Sequence, residues 1–175
     1  MVTRKPNLKS LIGILKFAGL DAGERRRAIL RQNIEKQLKN QNISTEFAGI
    51  LRRLFDKKAA VREEQVRLLA DTKSNSAAPL LIMALHDSSI HVRWTAAEAL
   101  GEIGGRKEML PLCQAMSSKD YPVANAAKSS FLKICNRLSG PGGKELAKQI
   151  EKLPPVDAAK LIRQMLKLKP FDNSN

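Results

Sequence analysis

A chain of 175 residues is long enough for one domain that buries about 70% of its unfolded surface, so neither disulfides nor a metal are required to hold it folded. Leu, Ile, Ala and Val make up most of the apolar set, aromatic residues are only 4%, and Lys, Arg and Glu fill much of the rest, a mix that favours helix over strand. The formal charge of +14 is split as +9 over residues 1–60, −2 over 61–105 and +7 over 106–175, which confines attraction to anionic surfaces to the two ends, and the lack of any apolar run of about 18 residues excludes a membrane-spanning helix.

The first expected element is a short amphipathic helix from Leu8 to Gly19, with Leu8, Leu11, Ile12 and Leu15 on one face and Lys9 and Lys16 on the other. Arg4 and Lys5 ahead of it faintly resemble the start of a secretory signal, but Lys16 interrupts the apolar run. The segment is read as a cap on the rest of the helical chain. Docking into a partner groove or onto an anionic membrane surface through residues 8–19 is the weaker alternative. Asp21 with Glu24 then reads as a capping box opening a helix that runs to about Asn40. That helix carries Arg25, Arg26, Arg27 and Arg31, which with Arg52, Arg53, Lys57 and Lys58 form a candidate anion-binding patch; a solvated charged face is the plainer alternative. Residues 1–43 are thus expected to be a helical cap.

From residue 44 the chain repeats. Val61, Val92 and Val123 lie 31 residues apart, a spacing that signals stacked helical hairpins. The first helices carry Phe47, Ile50, Leu51 and Leu54; then Ala78, Leu81, Ile82 and Leu85; then Met109, Leu112, Cys113 and Met116, each at i, i+3, i+4, i+7. The second helices carry Val61, Leu68 and Leu69; then Val92, Ala96, Ala99, Leu100 and Ile103; then Val123, Ala127, Phe131 and Ile134. Ser76 is a cap for the first helix of the middle unit, while Gly104-Gly105 and the run Ser139 to Gly143 end second helices. A hairpin with two apolar stripes cannot bury both alone, so the units must stack.

The stretch His86 to Gly104, with its turn Asp, Val-Arg and Ala-Ala-x-Ala-Leu-Gly-x-Ile-Gly, resembles a HEAT repeat of the phycobilisome-lyase-like type. The resemblance covers Ser44 to Leu138. It implies a short right-handed α-solenoid of antiparallel helix hairpins, all-α and HEAT-like or armadillo-type, with the second helices lining a concave surface. It also implies a ladder between adjacent repeats built from a turn Asp and an Arg six residues later, here Asp56 with Arg62 and Asp87 with Arg93. Ser118 and Ala124 stand in those places in the third unit, so the ladder is expected to stop there.

Beyond the three repeats (44–138), residues 139–175 are expected to form a capping hairpin, with helices Lys144 to Leu153 and Val156 to Leu168 around Pro154-Pro155. The run Gly140 to Lys144 reads as a link; it lacks the spacing and the Ser/Thr of a phosphate loop. Pro170 to Asn175 is expected to be loose.

No motif for chemistry emerges. His86, Asp87 and His91 are the one cluster of metal-ligand types, but the ladder already claims Asp87 and no fourth ligand is near in sequence. Cys113 and Cys135 sit among apolar neighbours, as buried thiols do, which suits a reducing cytoplasm. No Gly-x-Ser-x-Gly elbow or Cys-His pairing is present. The expectation is no enzyme, no metal and no cofactor, with a bilin-lyase-like enzyme subunit as a minor alternative that the resemblance brings with it.

By helical angle Trp94 points away from its own stripe, with Glu98 on its face and Glu63, Arg67, Asn125 and Ser129 as repeat-equivalent neighbours. An exposed tryptophan there would anchor an interface; cover by a neighbouring cap helix is the equal alternative. The leading expectation is a cytoplasmic, non-catalytic scaffold or adaptor that binds a protein through this surface. The runner-up is binding of nucleic acid, ribonucleoprotein or another polyanion through the basic ends.

Overall fold

The computed structural model describes residues 45–74, 77–138 and 141–165. The expected N-terminal cap, Arg25, Arg26, Arg27 and Arg31, Ser76, and Pro170 to Asn175 lie outside them. The described chain is all helical: α1 (Thr45–Arg53), α2 (Ala59–Asp71), α3 (Ala78–Ala84), α4 (Ile90–Ile103), a 3-10 turn (Arg106–Glu108), α5 (Met109–Ala115), α6 (Tyr121–Arg137), α7 (Pro141–Glu151) and α8 (Pro155–Met165).

Three hairpins account for most of it. Each short first helix packs on the longer second helix after it, α1 on α2, α3 on α4 and α5 on α6. The second helices also pack on one another in sequence, α2 on α4 and α4 on α6, forming one continuous layer. This is an α-solenoid, and its core is built from repeat-equivalent rows. Ile50, Leu81 and Leu112 are buried in the first helices; Leu69, Leu100 and Phe131, and Gln65, Ala96 and Ala127, are buried in the second. Burying each large aliphatic or aromatic side chain contributes about 1.5–3 kcal/mol. A one-residue slip of any hairpin would forfeit several such terms together.

Small residues set the spacing in the second-helix layer. A Cβ built on Gly101 of α4 would lie 2.5 Å from Ser130 Oγ, 2.7 Å from its Cβ and 3.0 Å from its Cα. The glycine is what lets α6 approach so closely. Arg137, near the end of α6, then donates to the carbonyls of Gly101 (3.0 Å), Glu102 (3.1 Å) and Gly104. Those are carbonyls a helix C-terminus leaves without intrahelical donors.

One stripe differs from expectation. In α2 the buried residues are Arg62, Gln65, Val66 and Leu69, whereas Leu68 is 39% exposed and Val61 is half-buried. Ala99 and Ser130, the equivalents of Leu68, are buried. Ser130 meets Gly101 of the preceding second helix, so this row faces backward along the layer. Leu68 lies on the backward side of the first described second helix.

The C-terminal hairpin also begins earlier than expected. Pro141 opens α7, three residues before Lys144, because a proline is pre-organised for a first helical turn and the glycines after it do not prevent one. A Cβ on Gly143 would stand 3.2 Å from the Cys135 carbonyl, so this start sits directly on α6. Lys128 of α6 donates to the carbonyls of Glu151 (2.6 Å) and Leu153 (2.5 Å) at the other end of α7. Arg163 of α8 donates to Ser117 Oγ at 2.7 Å, fastening the last helix to the turn after α5.

Candidate functional site: the ladder and the second-helix face

Each turn between first and second helix is closed by a short polar side chain. Asp56 Oδ1 accepts the Lys58 N–H at 2.8 Å, Asp87 Oδ1 accepts the Ser89 N–H at 2.8 Å, and Ser118 Oγ accepts the Asp120 N–H at 3.2 Å. The same turn therefore recurs in all three units. It aims each second helix along the layer.

Arg62 spans two of these turns. Its Nη1 donates to the carbonyls of Asp56 (2.8 Å) and Lys57 (3.1 Å), while Nε and Nη2 grip Asp87 Oδ2 and Oδ1 at 2.8 and 2.7 Å. The guanidinium thus bonds the backbone of its own turn and the carboxylate of the next unit's turn, and both side chains are only 4% exposed. Arg93 repeats the arrangement with its Nη1 on the Asp87 carbonyl and its Nη2 on the carboxylate of Asp120. The ladder therefore reaches the third unit, contrary to the expectation set by Ser118. A turn aspartate performs two tasks, accepting the turn N–H and receiving the arginine; in the third unit Ser118 keeps the first and Asp120, two residues on, takes the second. Sequence register alone could not reveal this, since Asp120 is out of step with Asp56 and Asp87.

Asp87 is consequently committed to Arg62 and Ser89, not available as a metal ligand beside His86 and His91. Among the described residues no group of three His, Cys, Asp or Glu is gathered for a metal ion, and no helix is long and apolar enough to cross a membrane. Cys113 and Cys135 are buried. Burial pushes the Cys135 thiol up to about 11. It raises Cys113 too, against the pull of the nearby Arg163 guanidinium.

The second helices share a continuous exposed face. Arg67, Glu98 and Ser129 are exposed at equivalent positions of α2, α4 and α6, as are Ala60, His91 and Pro122, and Asp71, Glu102 and Lys133. The neighbouring row, Glu63, Trp94 and Asn125, runs from half-buried to exposed. Trp94 is not a freely projecting ring: it is half-buried and packs against the core. Arg67 Nη2 bonds Glu63 Oε1 at 2.7 Å. That bond and the charge of Glu63, with Glu64 and Glu98 further off, raise the guanidinium's pKa. Lys133 bonds Glu102 at 2.6 Å, linking α6 to α4, and this bond and the lysine's charge hold the Glu102 carboxyl below its ordinary range. Arg52, Arg53, Lys57 and Lys58 are exposed at the α1–α2 turn.

Among known proteins, residues 47–131 match the family model described as HEAT repeats. No curated protein matches the chain. The family match does not extend to the finer phycobilisome-lyase-like type. Its span covers α2 to α5 whole with the ladder between them, and with the period, the recurring turn and the Arg62–Asp87 pair it identifies this stretch as HEAT repeats.

Proposed function

We propose that this HEAT-repeat chain is a non-catalytic scaffold that binds a protein partner across the exposed face of α2, α4 and α6. HEAT repeats suggest a protein-interaction role, and one observation favours this face in particular: the Arg67, Glu98 and Ser129 row is exposed in all three units. A rigid layer with ordered spacing offers a partner a preformed surface, which lowers the entropy cost of binding. Trp94 with Glu63 and Asn125 forms the adjoining row, so a partner lying across the helices would contact Glu63, Arg67, Trp94, Glu98, Asn125 and Ser129 together.

Because Trp94 packs on the core, its removal would weaken both folding and binding and would not separate the two. Charge reversal on the exposed row does. Arg67→Glu with Glu98→Arg should abolish recovery of partners captured by the wild-type chain from native extract, while leaving stability within about 0.5 kcal/mol, as for other surface substitutions. Unchanged capture by the reversed variant would rule this face out.

A second reading rests on the exposed Arg52, Arg53, Lys57 and Lys58 around one turn, which together could bind a polyanion. Titration with single-stranded RNA at two salt concentrations tests it, since neutralised phosphates steepen the salt dependence of affinity. Affinity that does not change with salt would exclude it.

A further inference from the structure

The ladder holds the three turns between first and second helices side by side. Arg62 reaches from the carbonyls of Asp56 and Lys57 to the Asp87 carboxylate, and Arg93 reaches from the Asp87 carbonyl to the Asp120 carboxylate. A single guanidinium thus bridges each pair of neighbouring turns, and their outward side chains form one edge of the solenoid.

The charge of that edge is one-sided. Arg52, Arg53, Lys57 and Lys58 are exposed at the first turn and Lys119 at the third, with His91 exposed just after the second. The carboxylates of the later two turns, Asp87 and Asp120, are offset by Arg62 and Arg93, and Asp56 is the one carboxylate within residues 52–60. The cations therefore set the sign of the edge. At the opposite edge, where the second helices end, exposed Asp71 and Glu102 stand among the cations Lys73, Lys133 and Arg137.

Aromatic rings stand on the same edge as the cations. Tyr121 opens α6 and is 68% exposed, the most exposed of the large apolar side chains among the described residues. Phe55 and Phe131 are buried by contrast, and Trp94 packs on the core. His91, in the first turn of α4, is the repeat-equivalent of Pro122, so its imidazole and the Tyr121 ring stand on neighbouring helices, whose axes lie about 8–10 Å apart. An acidic polypeptide would need only the cations. Rings beside cations suit bases joined by phosphates, because every base has a face that can stack.

We infer that the turn edge binds single-stranded nucleic acid, with bases stacked on Tyr121 and His91 and phosphates held by Lys119 and by Arg53 and Lys58 of the first turn. This rests on the polyanion reading above and gives it a ligand and a path: the strand runs along the turns from the start of α2 to the start of α6.

Fluorescence anisotropy of the full chain with a labelled single-stranded RNA of about 12 nucleotides tests this. Tyr121→Ala should weaken binding by about tenfold without changing the slope of affinity against salt, and Tyr121→Phe, which keeps a ring, should bind as the wild type does. Lys119→Gln should instead lessen that slope by about 0.7, the share of one phosphate contact. Inorganic polyphosphate carries charge and no bases, so the wild type and Tyr121→Ala should bind it equally. A wild-type affinity that does not respond to salt would remove the polyanion reading and this inference with it. Salt-dependent binding of RNA that Tyr121→Ala leaves intact, or an equal loss for RNA and polyphosphate, would keep the polyanion reading and overturn the base-stacking site.

Discussion

The two bonds from Arg62 to Asp87, at 2.8 and 2.7 Å, join residues 25 positions apart, with both side chains 4% exposed. Removing one partner of a buried pair strands the other charge. Arg62→Ala should therefore cost about 3–5 kcal/mol in urea unfolding. Arg93→Ala should cost less, about 1–2 kcal/mol, because its partner Asp120 is 39% exposed and water can replace the guanidinium. Equal losses would show that the ladder is not graded by burial.

Gly101→Ala tests the spacing of the second-helix layer. Alanine ordinarily favours a helix interior over glycine by about 1 kcal/mol, but here its methyl would meet Ser130 down to the Cα at 3.0 Å. Backbone cannot yield as a side-chain end does. The variant should lose about 1–3 kcal/mol, and Ser130→Gly added to it should recover part of the loss, a coupling that a thermodynamic cycle would read as at least about 0.5 kcal/mol.

Lys73 comes just after the C-cap of α2 with φ 48, a left-handed conformation that strains a side chain and suits glycine. Lys73→Gly should raise stability by about 0.5–1 kcal/mol in chemical denaturation. A loss would mean that the lysine side chain contributes more than the backbone strain costs.

The Cys135 thiol, raised to about 11 by burial, links stability to alkaline pH. An unfolded cysteine ionises near about pH 8.5, so the folded state binds the proton more tightly across the window between the two values. That contribution is fully present below about pH 8.5 and is lost as pH rises toward about 11. Urea midpoints should fall over this range, and fall less in Cys135→Ala.

The core was legible in the sequence because repeat-equivalent positions share an environment: Ile50, Leu81 and Leu112 occupy the same place three times over, and periodicity detects sameness. Other features depend on what periodicity cannot see. Asp120 supplies the ladder from two residues out of register. Leu68 carries the right hydrophobicity at an expected stripe position, but periodicity does not tell a row inside the layer from one at its edge. Trp94 packs on the core although its helical angle points away from its own stripe, and Gly143 reads as part of a link until its close approach to the Cys135 carbonyl of α6 is seen.

The proposed partner face depends on α2, α4 and α6 forming one layer in register. Spin labels attached at Arg67→Cys and Ser129→Cys, with the native thiols buried, would report the span of two helix-to-helix steps by pulsed electron resonance. The layer predicts a single narrow distribution centred near about 20 Å, since neighbouring axes lie about 8–10 Å apart. A broad distribution, or one centred beyond about 35 Å, would mean that the second helices are not stacked side by side.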